Sequence, residues 1–448
     1  MKNALLFLAL VFSGAALADD GRYQEYPVGS RAMALGGAFV ALSDDPSGLF
    51  YNPAGVCDTH RLNVSVSASL YGIERQSQGA IQLNTGSFSV ATLNVIPGEA
   101  GLLKGFGKIE GRGVPFALGF DVSVPSFRSY GTDSTEQFGT LTRQLHSRVL
   151  DRTFVLAAGG AYRIDEHWSV GLALHYRLRL FEQVDDQLVN GQGADPAVGV
   201  YHAAASFENG DLVTLLGAKL RLDHERWALG ASLGLPGIEL HSAGKVDVQD
   251  VLSDPSKPPG QRTTVSVFNA GDLVVTHTPS PFMLRAGIAR IEPRQWTLTG
   301  QVTFHAGTSY DRFSVPEPIA SRLRIQDHVD RGPVVNVNLG GEYLLSPEYS
   351  TSIGFFSDRS GARPLDADAT GLLRPTSSRL QNIDLYGATA TFGVIGQHSI
   401  SRLGMSFSYG TGEDAVLDES AGIDSNVYRR ATVHQLFLYF FLASTFRY

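Results

Sequence analysis

The chain has 448 residues, a formal charge of −8, 43% apolar and 18% charged residues, and a single cysteine. This is too apolar for a disordered chain, and the acidic balance argues against a nucleic-acid partner. The lone Cys57 leaves no internal disulfide and no cysteine-built metal site, and it reads as a small packing residue.

The first residues carry Lys2, an apolar run from Ala4 to Phe12, and Ala16-Leu17-Ala18 ahead of Asp19-Asp20. This is the layout of a secretory signal over 1–18. The run is too short to span a bilayer as a helix, and no later apolar stretch reaches the roughly 18 to 20 residues that a helical span needs. An exported protein without helical membrane anchors is expected.

Next comes SRAMALGGAFVALSDDPSGLFYNPAG, from Ser30 to Gly55. Its small residues allow close packing, Asp44-Asp45-Pro46-Ser47 makes a turn or a helix cap, and Asn52-Pro53-Ala54-Gly55 ends the element. Such a segment needs a surrounding wall.

From Arg61 the pattern becomes alternation. Leu62, Val64, Val66, Ala68 and Leu70 point one way, with Asn63, Ser65, Ser67 and Ser69 opposite. The same period recurs from Trp168, from Trp296 and from Val335, over segments of about ten to thirteen residues, long enough to cross a bilayer at a tilt. Short turns fall at 165–167, 224–226, 292–294, 346–348 and 396–397, and long polar excursions at 127–151, 181–210, 236–280, 307–332, 359–379 and 411–427. Short turns at one end and long loops at the other are what a transmembrane barrel shows.

That parity gives ten strands between 152 and 411, preceded by a pair near 60–72 and 78–97 and by 113–126, and closed by 428–448. The total is about 14 strands. All three tryptophans (Trp168, Trp227, Trp296) follow a short turn, as an interfacial aromatic girdle would, or as strand residues of high β-propensity. The chain ends with Leu436, Leu438, Phe440, Leu442, Phe446 and Tyr448 on one face, which resembles the signal that barrel-assembly machinery recognises. The expected fold is all-β: a transmembrane antiparallel β-barrel, in the outer membrane of a Gram-negative cell.

The segment Arg31 to Gly55, with Asn52-Pro53-Ala54 as its most specific part, resembles the N-terminal segment of the FadL-like outer-membrane transporters of long-chain fatty acids and aromatic hydrocarbons. The resemblance implies a signal peptide at 1–18, an N-terminal hatch at 19–58 that plugs the lumen, and a barrel at 59–448. It also implies an inward kink in the third strand, 113–126, beside Asn52, Pro53 and Ala54, through which substrate leaves sideways. Gly119 could permit that kink as a bulge, or be a plain structural glycine.

On the last strand Phe437, Tyr439 and Phe441 face the lumen, either as a substrate pocket or as packing against the hatch. Arg177 and Arg179 stand on a lumen face with Arg163, Lys219, Arg221 and Arg402. One of these could meet a carboxylate headgroup, or all could be balanced by lumen acids such as Asp121, Asp223 and Glu342. The expected partners are outer-membrane lipid, a hydrophobic small molecule and the assembly machinery. The alternative function is that of a PorV-like barrel partner in protein secretion or surface attachment.

Gly230-Ala231-Ser232-Leu233-Gly234 matches the nucleophile-elbow pattern, but strand alternation runs straight through it, so Ser232 is not expected to be catalytic. Asp185-Asp186 and the pair Asp366 and Asp368 could hold calcium in long loops or be solvated loop charge. The histidines show no metal-ligand spacing. No cofactor, metal or enzymatic activity is expected.

Overall fold

The computed structural model describes residues 21–23, 26–59, 62–78, 88–94, 97–107, 113–138, 141–191, 198–223, 226–253, 258, 261, 263–269, 278–312, 328–374, 379–417 and 427–448. The expected signal segment 1–18 lies outside them.

The strands are β1 (Leu62–Gln78), β2 (Phe88–Asn94), β3 (Pro97–Phe106), β4 (Phe116–Phe138), β5 (Leu141–Arg163), β6 (Trp168–Gly191) and β7 (Val198–Leu222). They continue as β8 (Trp227–Gly234), β9 (Ile238–Ser253), β10 (Thr263–Asn269), β11 (Met283–Glu292), β12 (Trp296–His305), β13 (Thr308–Asp311) and β14 (His328–Arg331). The last are β15 (Val334–Leu344), β16 (Tyr349–Asp358), β17 (Asn382–Ile395), β18 (Ser399–Leu417) and β19 (Tyr428–Arg447).

Pairing is antiparallel throughout and closes on itself as a 14-strand barrel. Three staves of the barrel are each made of two segments: β2 with β3 along β1, β8 with β9 along β7, and β10 with β11. β13 and β14 form a separate hairpin. The seam runs between β1 and β19, and Leu62 and Tyr448 close it with reciprocal backbone bonds of 3.1 and 2.8 Å. Closure leaves no free sheet edge, which is the condition for a sheet to live in lipid.

The sidedness is that of a membrane barrel. Outward positions are greasy and bare, with Leu172, Leu339 and Phe355 each about half exposed (47%, 54% and 51%). The inward row alternating with them is polar and covered, as at Ser65, Asp121, Ser169, Lys219 and Gln301. An exposed apolar belt of this extent marks a lipid-facing surface. Trp168, Tyr343 and Tyr349 stand exposed at the short-turn end, while Trp227 and Trp296 are half-buried there, Trp227 under the Arg290 guanidinium at 4.8 Å.

Several expected loops are strand instead. The excursion expected at 127–151 is the upper part of β4 and β5, whose pairing continues to Phe138↔Leu141, and 181–210 is the upper part of β6 and β7. Strands that continue beyond the bilayer meet water on the outer face too, so their apolar alternation fades while backbone pairing persists. The second stave lies at 88–106, not at 78–97. Much of 236–280 is β9 and β10, and β18 runs on to Leu417.

Candidate functional site

The N-terminal segment lies in the barrel interior. It contains α1 (Ser30–Ala34), α2 (Gly48–Tyr51) and a 3₁₀ turn (Pro53–Asp58), joined by tight turns. Leu35, Phe39, Leu49 and Val56 are fully buried and Leu42 and Tyr51 nearly so, and they pack on inward residues such as Val155, Ala228, Ala157 and Leu215. A backbone this short of regular structure must bond elsewhere. The inward polar row of the wall supplies the partners.

Gln301 Oε1 accepts from the amides of Phe39 and Val40 at 3.1 and 3.0 Å. The Ser169, Ser232 and Thr299 hydroxyls donate to the carbonyls of Ala54, Tyr51 and Ala38. Asn338 and Arg285 donate to those of Gly36 and Phe50, each at 2.7 Å. Ser232, inside its apparent elbow motif, is thus a strand residue that holds the segment.

Asn52 knots this arrangement. Its Nδ2 donates to Val40 O within the segment at 2.9 Å and to Ala218 O of β7 at 3.0 Å, while its Oδ1 accepts from Ala54 N at 3.1 Å. Pro53 starts the 3₁₀ turn, where its missing amide costs nothing. The triplet rests on a paired set of glycines, Gly171 of β6 and Gly217 of β7. A Cβ at Gly171 would come within 2.4 Å of Ala54 N, and one at Gly217 within 2.3 Å of Asn52 Oδ1. A second pair, Gly340 and Gly354, seats Leu35 and Gly36 in the same way. The sequence reading missed both seats, although each glycine sits in an inward register.

Ion pairs fix the segment further. Asp58 meets Lys219 at 2.7 Å, Arg163 at 2.5 Å and Arg221, all nearly fully buried. Burial alone would raise the Asp58 carboxyl, but the Lys219 and Arg221 charges outweigh it and hold it below the usual carboxylate range. Arg31 bridges Asp44 at 2.8 Å and Glu342 at 2.9 Å, and Arg402 meets the other Glu342 oxygen at 2.9 Å. So Arg163, Lys219 and Arg221 are matched by an acid of the segment, where the sequence suggested barrel acids. Of those barrel acids, Glu342 is so used. Asp121 lies instead near Glu99, and Asp223 is an exposed turn residue with positive φ of 49°.

Gly119 does not mark the bend of β4. It pairs regularly with Leu103 and Gly159, and the register breaks between Ser123 and Ser126, around Pro125. A proline inside a strand removes a ladder donor, which is the signal that locates the bend. There Tyr26 N donates to Pro125 O at 3.2 Å and the Tyr26 hydroxyl to Phe127 O at 3.2 Å, and that hydroxyl also meets the Tyr439 hydroxyl at 2.8 Å.

Two cavities share Arg22 in their linings. The first, about 810 Å³ of empty space that includes open solvent, is lined by Met33, Val124, Phe356, Leu385, Phe437 and Phe441 among others, with Tyr26 and Tyr439. The second, about 1120 Å³, holds Arg177, Arg179, Arg285 and Arg331 with His175 and His305. Arg179 is committed to Asp151 at 2.6 Å, whereas Arg285 lies over the rings of Phe50 and Tyr51 at 5.1 and 5.5 Å. The sequence-derived pocket of Phe437, Tyr439, Phe441, Arg177 and Arg179 therefore divides between an apolar and a cationic chamber.

The paired acids expected in loops are engaged within the protein. Asp186 meets His202 at 2.5 Å, Asp185 accepts from Ser147 and Gln183, and Asp368 closes a turn by accepting from the amides of Thr370 and Leu372. Cys57 is buried within the 3₁₀ turn, and burial pushes its thiol up to about 11.

No family model and no curated protein matches the sequence. Solved structures do. A Pseudomonas aeruginosa FadL homologue aligns with a TM-score of 0.63 at 11% identity, covering 95% of this chain and 99% of its own. The Pseudomonas putida toluene transporter TodX gives 0.57 at 11% identity over 95% and 99%. The Ralstonia pickettii toluene transporter TbuX gives 0.54 at 12% identity over 94% and 98%. At these identities the likeness speaks for architecture, and the chain has the fold of the FadL-like barrels.

Proposed function

We propose that this chain is a passive outer-membrane transporter of hydrophobic small molecules, fatty acids or aromatic hydrocarbons, in which the N-terminal segment acts as the hatch. The observation that carries the reading is the apolar chamber of about 810 Å³ lying against the Ser123–Ser126 break of β4, with Val124 in its lining. Its lining, apolar with a few polar groups, has the character of a small-molecule site. An acyl chain gains about 0.8 kcal/mol per buried CH₂, so apolar walls draw it in where a water-filled pore would not.

In this reading substrate enters from the long-loop, extracellular end, rests beside Phe437, Tyr439 and Phe441, and leaves into the bilayer at the β4 break. Tyr26 holds that exit through its contacts with Pro125, Phe127 and Tyr439. Asn52, Pro53 and Ala54 keep the hatch seated on β6 and β7. Arg285 and Arg177 in the cationic chamber suit the charged end of a carboxylate-bearing substrate. A cleaved signal over 1–18 delivers the chain, and the last strand with Tyr448 presents the assembly machinery with its recognition end.

Uptake of labelled oleate or toluene tests this, in a strain lacking the protein and in one complemented with Leu385→Arg, which places a charge in the apolar chamber. Uptake should fall in both while the variant barrel remains folded. Unchanged uptake in the deletion strain together with lost display of surface proteins would replace this reading with the role of a secretion partner.

A further inference from the structure

The β4 break is one end of a row. Residues Ser123, Val155, Arg177, Asp211 and Glu239 lie side by side across five adjoining strands. At the far end of this row the wall is interrupted again. The register of β7 shifts between Gly210 and Asp211, the next stave breaks at Leu235-Pro236-Gly237 between β8 and β9, and the stave after it carries Thr278-Pro279-Ser280-Pro281-Phe282 ahead of β11.

Three prolines fall in these two facing breaks, and each removes a ladder donor. Regular pairing between the two staves ends at Gly234↔Met283, and above it, among the described residues, a backbone bond joins Gly237 N to Ser280 O at 3.2 Å. On the outside, Ile238 and Leu240 are 68% and 57% exposed, and Glu239 and His241 between and beyond them are exposed too. The exposed Ile238 and Leu240 give the outer side of the break an apolar surface.

The inside of this break opens on the cationic chamber, which Gly234, Thr278, Pro279, Ser280 and Pro281 line on one side and Pro125 and Ser126 on the other. Interrupted backbone at membrane depth is tolerated where it lines a cavity. A polar latch spans the inner mouth: the Arg177 guanidinium donates to the Ser280 hydroxyl, which donates to Asp211, and Arg177 also lies 3.9 Å from Asp211.

We infer that the break between Gly234–Gly237 and Thr278–Phe282 is a second lateral portal, through which hydrophobic substrate passes between the cationic chamber and the bilayer, latched by Arg177, Asp211 and Ser280. The inference rests on the transport reading above, but it concerns a different part of the wall from the β4 break.

A disulfide across the portal tests it. A Cβ built on Gly237 lies 3.1 Å from Ser280 Cβ and 2.2 Å from Asp211 Oδ2, so in the double variant Gly237→Cys/Ser280→Cys the Asp211 side chain turns aside and the two sulfurs can be locked and unlocked. The buried native Cys57, with its thiol pushed up to about 11, stays out of exchange. In vesicles containing a diazirine-bearing phospholipid, photolabelling of Met283 and its chamber neighbours should be at least fivefold stronger in the reduced than in the oxidised protein. Uptake of labelled oleate should fall severalfold on oxidation and recover on reduction.

Equal or absent chamber labelling in the two forms overturns the portal, whatever transport shows. Labelling that responds to the lock, in a protein that carries no oleate or toluene in either form, keeps the opening and overturns the transport role of both portal and chain. Uptake that persists unchanged through the lock overturns the portal alone.

Discussion

The N-terminal segment is held in opposite ways along its two flanks. Toward β5, β6 and β7, Asp58 sits among Lys219, Arg163 and Arg221, and the surrounding cations keep it below the usual carboxylate range despite burial. Toward β1, β3 and β4, Asp45 is buried near Glu99 and Asp121, with Pro46 wedged over Gly101 beside both carboxylates. Burial and then the neighbouring Asp44 push Asp45 up, against the Ser47 hydroxyl bond and the more distant Arg447 and Arg402. Burial raises both aspartates of this short segment, and the cations around Asp58 reverse the shift there while Asp44 adds to it at Asp45. The first flank is an ion-paired anchor. The second is tied by hydroxyls, Ser47 to Asp45 at 2.6 Å and Ser65 to Glu99, and it lies beneath the strand pair that leads to the β4 break. The ion-paired flank is the stronger tie, and the hydroxyl-tied flank is the one nearer the β4 break.

Asp58→Ala should have the largest effect, because it strands three nearly buried cations. Removing one partner of such a cluster costs about 3–5 kcal/mol. Thermal unfolding in detergent should shift down, and liposomes carrying the variant should swell faster in sugar solution. If both match the parent protein, the ion-paired flank is not what anchors the segment.

Next come the seat variants. Asn52→Ala leaves Val40 O and Ala218 O without this donor, and Gly217→Ala drives a methyl into the position of Asn52 Oδ1. Each should cost about 1–3 kcal/mol. Amide exchange of Ala54 and Gly55 should quicken in both, while the amides of α1, seated on Gly340 and Gly354, keep their protection. Equal quickening in α1 would mean that the segment moves as one body and that the flanks are not independent.

How much of this was legible in the sequence depends on what the alternation had to report. Within the bilayer one face is greasy and one wet, so period two is loud, and β6, β12, β15 and β19 could be read directly. Above the bilayer the outer face of β4 to β7 meets water while inward residues such as Val149, Phe181, Tyr201 and Phe207 are buried, so the greasy row changes sides and Arg128 to Phe138 looked like loop. The interior was read as polar, but not as paired, because Asp58, Arg163, Lys219 and Arg221 are separated by up to 163 residues in the chain. For the bend of β4 the sequence offered Gly119, which a missing side chain made either a bulge or a plain structural glycine. The missing amide of Pro125 was the better sign, since a glycine can stay in register and a proline cannot supply its donor.

A smaller effect is expected from Ser232→Ala on the wall between the flanks. It removes one neutral hydrogen bond to Tyr51 O, worth about 0.5–1.5 kcal/mol, and should lower the unfolding temperature slightly without altering uptake. A loss of uptake out of proportion to the stability change would give this serine a role in substrate passage.

The smallest effect, and the one that separates the flanks most cleanly, is Asp45→Asn. A carboxyl raised on folding contributes stability that is fully present below its unfolded value of about 3.9 and is lost as pH rises through the raised value. Asp58, lowered on folding, contributes stability above about 3.9 that is lost only as pH falls through a value below the usual carboxylate range. As pH falls toward the usual carboxylate value of about 3.9, then, the Asp45 flank should tighten as its carboxyl takes up a proton, while the Asp58 flank should not respond. The Gly48 amide, which donates to Asp45 O at 2.9 Å, reports this directly. Its exchange protection, corrected for the intrinsic rate, should rise as pH is lowered over that range in the parent protein and stay flat in Asp45→Asn, with Thr59 flat in both. If Gly48 is flat in the parent, the uncompensated acid does not loosen that flank, and the asymmetry lies in the ion pairs alone.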